Sequence, residues 1–148
     1  MSNLTLPDMG YVNLAKLMGR ATVKRLGYET YAYREVVGSR VGEITIRHHG
    51  SAIASLTPDT LTLTHAGYNT STTTARLHKI LIDQTGQNSY GIAIRQGLTS
   101  LVGEDRKPIV ALSELGGFVS FDKLPEGHWS LSALSQKRIA EARELVIS

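Results

Sequence analysis

Two groups of residues in this chain carry side chains that could do chemistry. The first is a set of histidines at the ends of alternating runs: His48 and His65 each close a run on its apolar phase, and His49 lies on the other face. With unperturbed pKa values near neutrality, paired histidines can act as general acid and base, for instance in RNA cleavage. The ordinary alternative is a set of hydrogen-bonded strand-end histidines. The second group is the block Gly67-Tyr68-Asn69-Thr70-Ser71-Thr72-Thr73 followed by Arg76. A strand that ends at glycine and enters a hydroxyl-rich helix start resembles an anion cradle. The first backbone N–H groups of a helix are free, the helix dipole favours negative charge there, and threonine hydroxyls add donors. Arg76, one turn in, could add a bidentate contact. The ordinary alternative is a capped helix whose arginine pairs with a carboxylate.

A third feature is electrostatic. From residue 16 to 47 there are seven basic residues (Lys16, Arg20, Lys24, Arg25, Arg34, Arg40, Arg47) against three acids (Glu29, Glu35, Glu43), so the chain's net charge of +3 is concentrated here. Tyr28, Tyr31 and Tyr33 are interleaved with them. Cations mixed with aromatic faces suit a single strand of nucleic acid. The nucleic-acid-binding candidates are therefore Lys16, Arg20, Lys24, Arg25 and Arg47. An ordinary solvated helix face over packed tyrosines is the competing account.

The elements that must position these residues can be read from periodicity. Leu14, Leu17, Met18 and Ala21 recur at helical spacing and predict a helix over residues 13–26, with Gly27 as its stop and Lys16, Arg20 and Lys24 on the opposite side. Strands are predicted over Tyr28–Val37 and Val41–His48, joined by a turn at Gly38-Ser39. Two more are predicted over Ser51–Leu56 and Thr60–His65, with Thr57-Pro58-Asp59 as the turn between them. A helix then runs from the Thr70–Thr74 cluster to about Asp83 with Leu77, Ile80 and Leu81 inward, and Gly86 ends it. Short strands are expected at Tyr90–Gln96, Ile109–Leu112 and Phe118–Phe121, with a charged loop from Gly103 to Pro108. After a turn at Pro125–His128, a closing helix begins near Ser130 or Ser132; its stripe is Leu131, Leu134, Ile139, Ala142, Leu145 and Val146, with Arg138 inside it. The fold class is α+β: an antiparallel β-meander packed against helices in a single compact domain spanning residues 1–148.

Several blocks of the chain also resemble a diffuse family of small, mostly uncharacterised phage and prophage proteins. The resemblance covers about Lys24 to Asp83 and rests on His49-Gly50-Ser51, on the Gly67 to Thr73 block with Arg76, and on Leu26-Gly27-Tyr28-Glu29-Thr30-Tyr31. The chain departs from that pattern at Ala66, where a first glycine is usual, at Tyr68, where tryptophan is commoner, and at His78, where asparagine is expected. The resemblance implies a phage origin and assigns no chemistry. Its residues define a candidate phosphate or ligand site of His49, Ser51, Tyr68, Thr70, Thr72, Thr73 and Arg76.

With 148 residues, 41% hydrophobic and 20% charged, the composition is that of a globular protein and not of a disordered or membrane chain. There is no cysteine, which excludes disulfides, thiolate metal sites and a cysteine nucleophile. The start lacks a secretory signal pattern and no segment is long and apolar enough for a membrane span, so a cytoplasmic location is expected, the host's if the protein is viral. Walker, nucleophile-elbow, dinucleotide-binding and H-E-x-x-H patterns are missing, so neither a metal nor a cofactor is implied and a conventional enzyme is disfavoured. The leading expectation is a phage-type accessory protein that binds nucleic acid without catalysis. The rivals are an inhibitor of a host or defence protein, with sequestration of a nucleotide as one way to act, and a histidine-dependent ribonuclease; homo-oligomerisation stays open.

Overall fold

Gly19 is the first place where the chain leaves its periodicity. The helix predicted over residues 13–26 is only α1, Tyr11–Met18. Gly19 adopts φ 56° and ψ −115°, a conformation essentially confined to glycine, and its N–H closes the last turn on the Ala15 carbonyl. The next element is a strand, β1, Val23–Gly27. Lys16, Arg20 and Lys24 therefore do not share one helix side: Lys16 is on α1, Arg20 lies just beyond it, and Lys24 is on β1.

The structure is a computed structural model and describes residues 6–37 and 40–147, with the side chains of 35–41 and 145–147 left aside. The expected Gly38-Ser39 turn lies outside the described residues, as do the side chains of Leu145 and Val146 in the predicted stripe. The meander itself forms as expected: β2, Thr30–Val37; β3, Arg40–His48; β4, Ser51–Leu56; β5, Thr60–Thr64. Helix α2, Ser71–Thr85, comes next, and then a hairpin and short strand: β6, Tyr90–Arg95; β7, Leu98–Gly103; β8, Pro108–Ala111. A 3₁₀ turn, Leu112–Leu115, leads into β9, Phe118–Lys123, then β10, Trp129–Leu131, and finally α3, Ala133–Ile147.

The strands make two antiparallel sheets, a seven-stranded one in the order β1-β2-β3-β4-β5-β9-β10 and a three-stranded one in the order β6-β7-β8. The fold is α+β, as the sequence predicts. Alternation sorts the large sheet into two faces. Ala32, Ile44, Ile46, Leu56, Leu61, Leu63, Val119 and Phe121 are buried on the inner one. Helix α2 lies over that face and buries Leu77, Ile80 and Leu81, each worth about 1.5–3 kcal/mol of transfer free energy. Its other side meets the small sheet: Thr74 and Thr99 hydroxyls bond at 3.1 Å, and the Ile92 amide donates to His78 Nδ1 at 3.2 Å. So α2 is held between two sheets. Helix α3 is capped by Ser132, whose hydroxyl accepts from the Ser135 amide. Among the described residues no helix is long and apolar enough to cross a membrane.

Candidate functional site

Three turns converge at one end of the large sheet. The β3–β4 hairpin closes through His49-Gly50, with φ of 52° and 81°, the pair of positive values a two-residue turn of this kind needs. The β1–β2 hairpin closes through Tyr28-Glu29, and its Glu29 carbonyl accepts from the His49 amide at 2.9 Å. After β5, His65-Ala66-Gly67-Tyr68 forms a third turn, closed by the Tyr68 amide on the His65 carbonyl at 2.8 Å, with Ala66 at φ 52° and Gly67 at φ 84°. This turn delivers the chain to the N-terminus of α2. Between the β3–β4 turn and the start of α2 is a cleft of about 410 Å³ lined by His48, His49, Ile53, Tyr68, Thr70, Thr72 and Thr73.

Five of the seven expected ligand residues thus meet around one concavity. Ser51, which pairs with His48 across the hairpin, and Arg76 do not line it. Thr70 is the N-cap: its Oγ1 accepts from the Thr73 amide at 3.2 Å and donates to Thr73 Oγ1 at 3.1 Å. Capping uses one of the first amides of α2. The Ser71 and Thr72 amides have no acceptor within the helix, because the carbonyls they would need lie before its first turn.

Arg76 is buried at 2% exposure, behind the cleft wall. Its Nε donates to Thr30 Oγ1 at 2.7 Å and its Nη2 to the Tyr28 carbonyl at 3.3 Å, while Nη1 has no partner among the described residues. No carboxylate pairs with it among the described residues. Burial lowers its pKa.

His48 is 3% exposed and lines the cleft. Its pKa is lowered from 6.5 to about 4, first by burial, then by the positive charge of Arg76 and by His49. Its tautomer is set by Thr30. The Thr30 hydroxyl donates to the Tyr28 carbonyl at 2.8 Å and accepts from Arg76, so its remaining lone pair is filled by a proton on His48 Nδ1, 3.1 Å away. His48 Nε2 is then a bare lone pair, buried and without a partner among the described residues. This suits a hydrogen-bond acceptor better than an acid. His49, by contrast, is half exposed, stacks edge-on against Tyr28 at 5.7 Å and lies 4.0 Å from the Glu29 carboxylate. His65 turns its Nδ1 to the Gly67 amide at 2.7 Å and braces the turn; burial lowers its pKa.

The cations divide. Register places Arg25, Tyr31 and Arg47 in one row across β1, β2 and β3, on the face opposite the core. Arg25 and Arg47 are exposed, Tyr31 and Tyr33 half-buried, and the Arg47 guanidinium sits 5.5 Å over the Tyr33 ring. Lys24 pairs with Ala32 and so belongs to the other face, at the sheet edge. Arg34 turns inward at 7% exposure, donating to the Ala21 carbonyl at 3.1 Å. Sequence periodicity does not separate these, because the helical pattern of α1 runs on past Gly19 into the residues of β1.

This is a small α+β protein with a ligand-sized cleft at a helix start and a basic, aromatic row on the opposite face of the large sheet, and its relatives are phage-encoded. The family described as Kyanoviridae Gp96 protein matches residues 13–116, and the chain belongs to that phage protein family. Comparison with curated proteins and with solved structures finds no match.

Proposed function

We propose that the protein is a phage accessory factor that binds single-stranded nucleic acid without catalysis, through the outer face of β1–β3. The observation that carries this is the row Arg25, Tyr31, Arg47 with Tyr33 beneath Arg47. Guanidinium groups at the two ends of the row are two inter-strand steps apart, roughly 10 Å at the backbone. They attract phosphates by charge and by bidentate geometry, and the tyrosine rings between them offer stacking surfaces for bases. Lys16, Arg20 and Lys24, all exposed but not on that row, add long-range attraction and no defined contact.

The test is fluorescence anisotropy with a labelled single-stranded oligonucleotide over a range of salt. Arg25→Ala with Arg47→Ala should weaken binding and flatten the salt dependence by about 1.4, at about 0.7 per lost phosphate contact. Tyr31→Ala should cost about 1–3 kcal/mol if a base stacks there. Binding that survives both changes with an unaltered salt slope refutes the assignment.

A further inference from the structure

We propose that the cleft at the start of α2 binds a phosphorylated nucleoside, either free or at the end of a strand. The inference does not use the outer sheet face and stands or falls separately from it.

Its basis is a mismatch between what lines the cleft and what the protein itself satisfies. A cleft of about 410 Å³ is within the range of about 300–1,000 Å³ that small-ligand sites occupy. His48 lines this cleft, and its Nε2, shielded from solvent at the cleft wall, is an acceptor with nothing to accept from among the described residues. Buried polar atoms are nearly always paired, and one that is not, in the wall of a cleft, points to a donor supplied from outside. An amino group or ring N–H of a base, or a ribose hydroxyl, has the required proton. An apolar ligand would leave the atom unsatisfied.

A second mismatch concerns charge. Arg76 is a buried cation whose partners are a hydroxyl and a carbonyl, both neutral. A buried charge is normally paired with its opposite. Arg76 sits behind His48, bonded to the same Thr30 hydroxyl, so it makes the neighbouring cleft electropositive without lining it. The Ser71 and Thr72 amides of the fifteen-residue α2 have no acceptor within the helix, Thr72 lines the cleft, and the Thr73 hydroxyl, which accepts the Thr70 proton, keeps its own to give. Phosphate fits there. The half-exposed Glu29 carboxylate lies 4.0 Å from His49 Nδ1.

The third requirement is a flat surface for a base. Tyr68, 51% exposed, and His49 both line the cleft and offer rings. An exposed tyrosine of this kind has no packing reason to be aromatic, and stacking gives it one.

The experiment is a calorimetric titration of the intact protein with nucleoside monophosphates, the matching nucleosides, inorganic phosphate, and a short oligonucleotide with and without a terminal phosphate. Nitrogen-15 NMR of the histidine rings runs alongside. A nucleoside monophosphate should bind at least about tenfold more tightly than either its nucleoside or phosphate alone, and the unprotonated Nε2 resonance of His48 should move. Tyr68→Ala, at a surface position that does not endanger folding, should weaken the nucleotide about tenfold and leave phosphate unaffected. Glu29→Gln should tighten it. Arg25→Ala with Arg47→Ala should leave mononucleotide affinity unchanged, which separates this site from the sheet face. If only the terminally phosphorylated strand binds, and Tyr68→Ala removes its preference over the unphosphorylated one, the ligand is a strand end. Phosphate binding as tightly as nucleotide, or no heat and no His48 response with any of these, overturns the proposal.

Discussion

Single residues carry the consequences that are easiest to measure. His48 has a folded pKa of about 4 against 6.5 for the free side chain, so between those values the unfolded chain binds the additional proton. Stability from this group is complete above about pH 6.5 and is lost as pH falls towards 4, on the order of 3 kcal/mol in total. His65 and His78, also lowered by burial, act in the same direction. Urea unfolding of His48→Gln across that window should show a pH slope smaller by about one proton than the wild type; an identical slope would show that His48 is not buried neutral. Ala66 gives a second case. Its φ of 52° places a Cβ in the left-handed region, which disfavours it by roughly 1–2 kcal/mol, partly offset by the greater freedom of an unfolded glycine. Ala66→Gly should therefore raise stability by up to about 1 kcal/mol, read as the urea midpoint.

At the scale of elements, sequence periodicity makes legible whatever has a clean repeat and proper ends. Helix α2 is readable because Thr70 caps it, Gly86 ends it in a left-handed turn and Leu77, Ile80 and Leu81 form one stripe. The meander is readable because Ile44, Ile46, Leu61 and Leu63 alternate with polar residues. β1 is not, since Val23, Lys24 and Arg25 are all exposed at a sheet edge and carry no alternation to read. Nor are β7 and β10: the first runs through four buried residues in succession, Thr99 to Val102, and the second is three residues long. The pairing of β5 with β9 is a contact between distant segments that no local pattern encodes. Of the candidate site, the hydroxyl-rich helix start is legible, whereas the burial of Arg76 behind His48 is not, because it depends on where β2 brings Thr30. Arg138 is a tie between elements: its Nη1 donates to the Leu115 carbonyl at 2.8 Å, capping the 3₁₀ turn, and its guanidinium lies 4.9 Å over Phe118. Arg138→Ala should cost about 1–2 kcal/mol in urea unfolding, since it removes a charged hydrogen bond and a cation–π contact together. A change under about 0.5 kcal/mol would mean that α3 is held by its apolar stripe alone.

Across the whole molecule, the basic surplus is distributed in a way that its sum conceals. Arg34 and Arg76 are drawn inward, Lys24 faces the other side of the edge strand, and Arg25 and Arg47 remain on the outer face with tyrosines between them. A net charge of +3 on its own predicts weak, unspecific attraction to any polyanion. The arrangement predicts something narrower, a preference for unpaired bases that can lie against Tyr31 and Tyr33. The most direct measurement is an anisotropy titration at low salt with one labelled single-stranded oligonucleotide and with its blunt duplex. Saturable binding of the single strand, tighter than that of the duplex and weakened by added salt, is the predicted result. Equal affinity for both, or no binding of either, would contradict it.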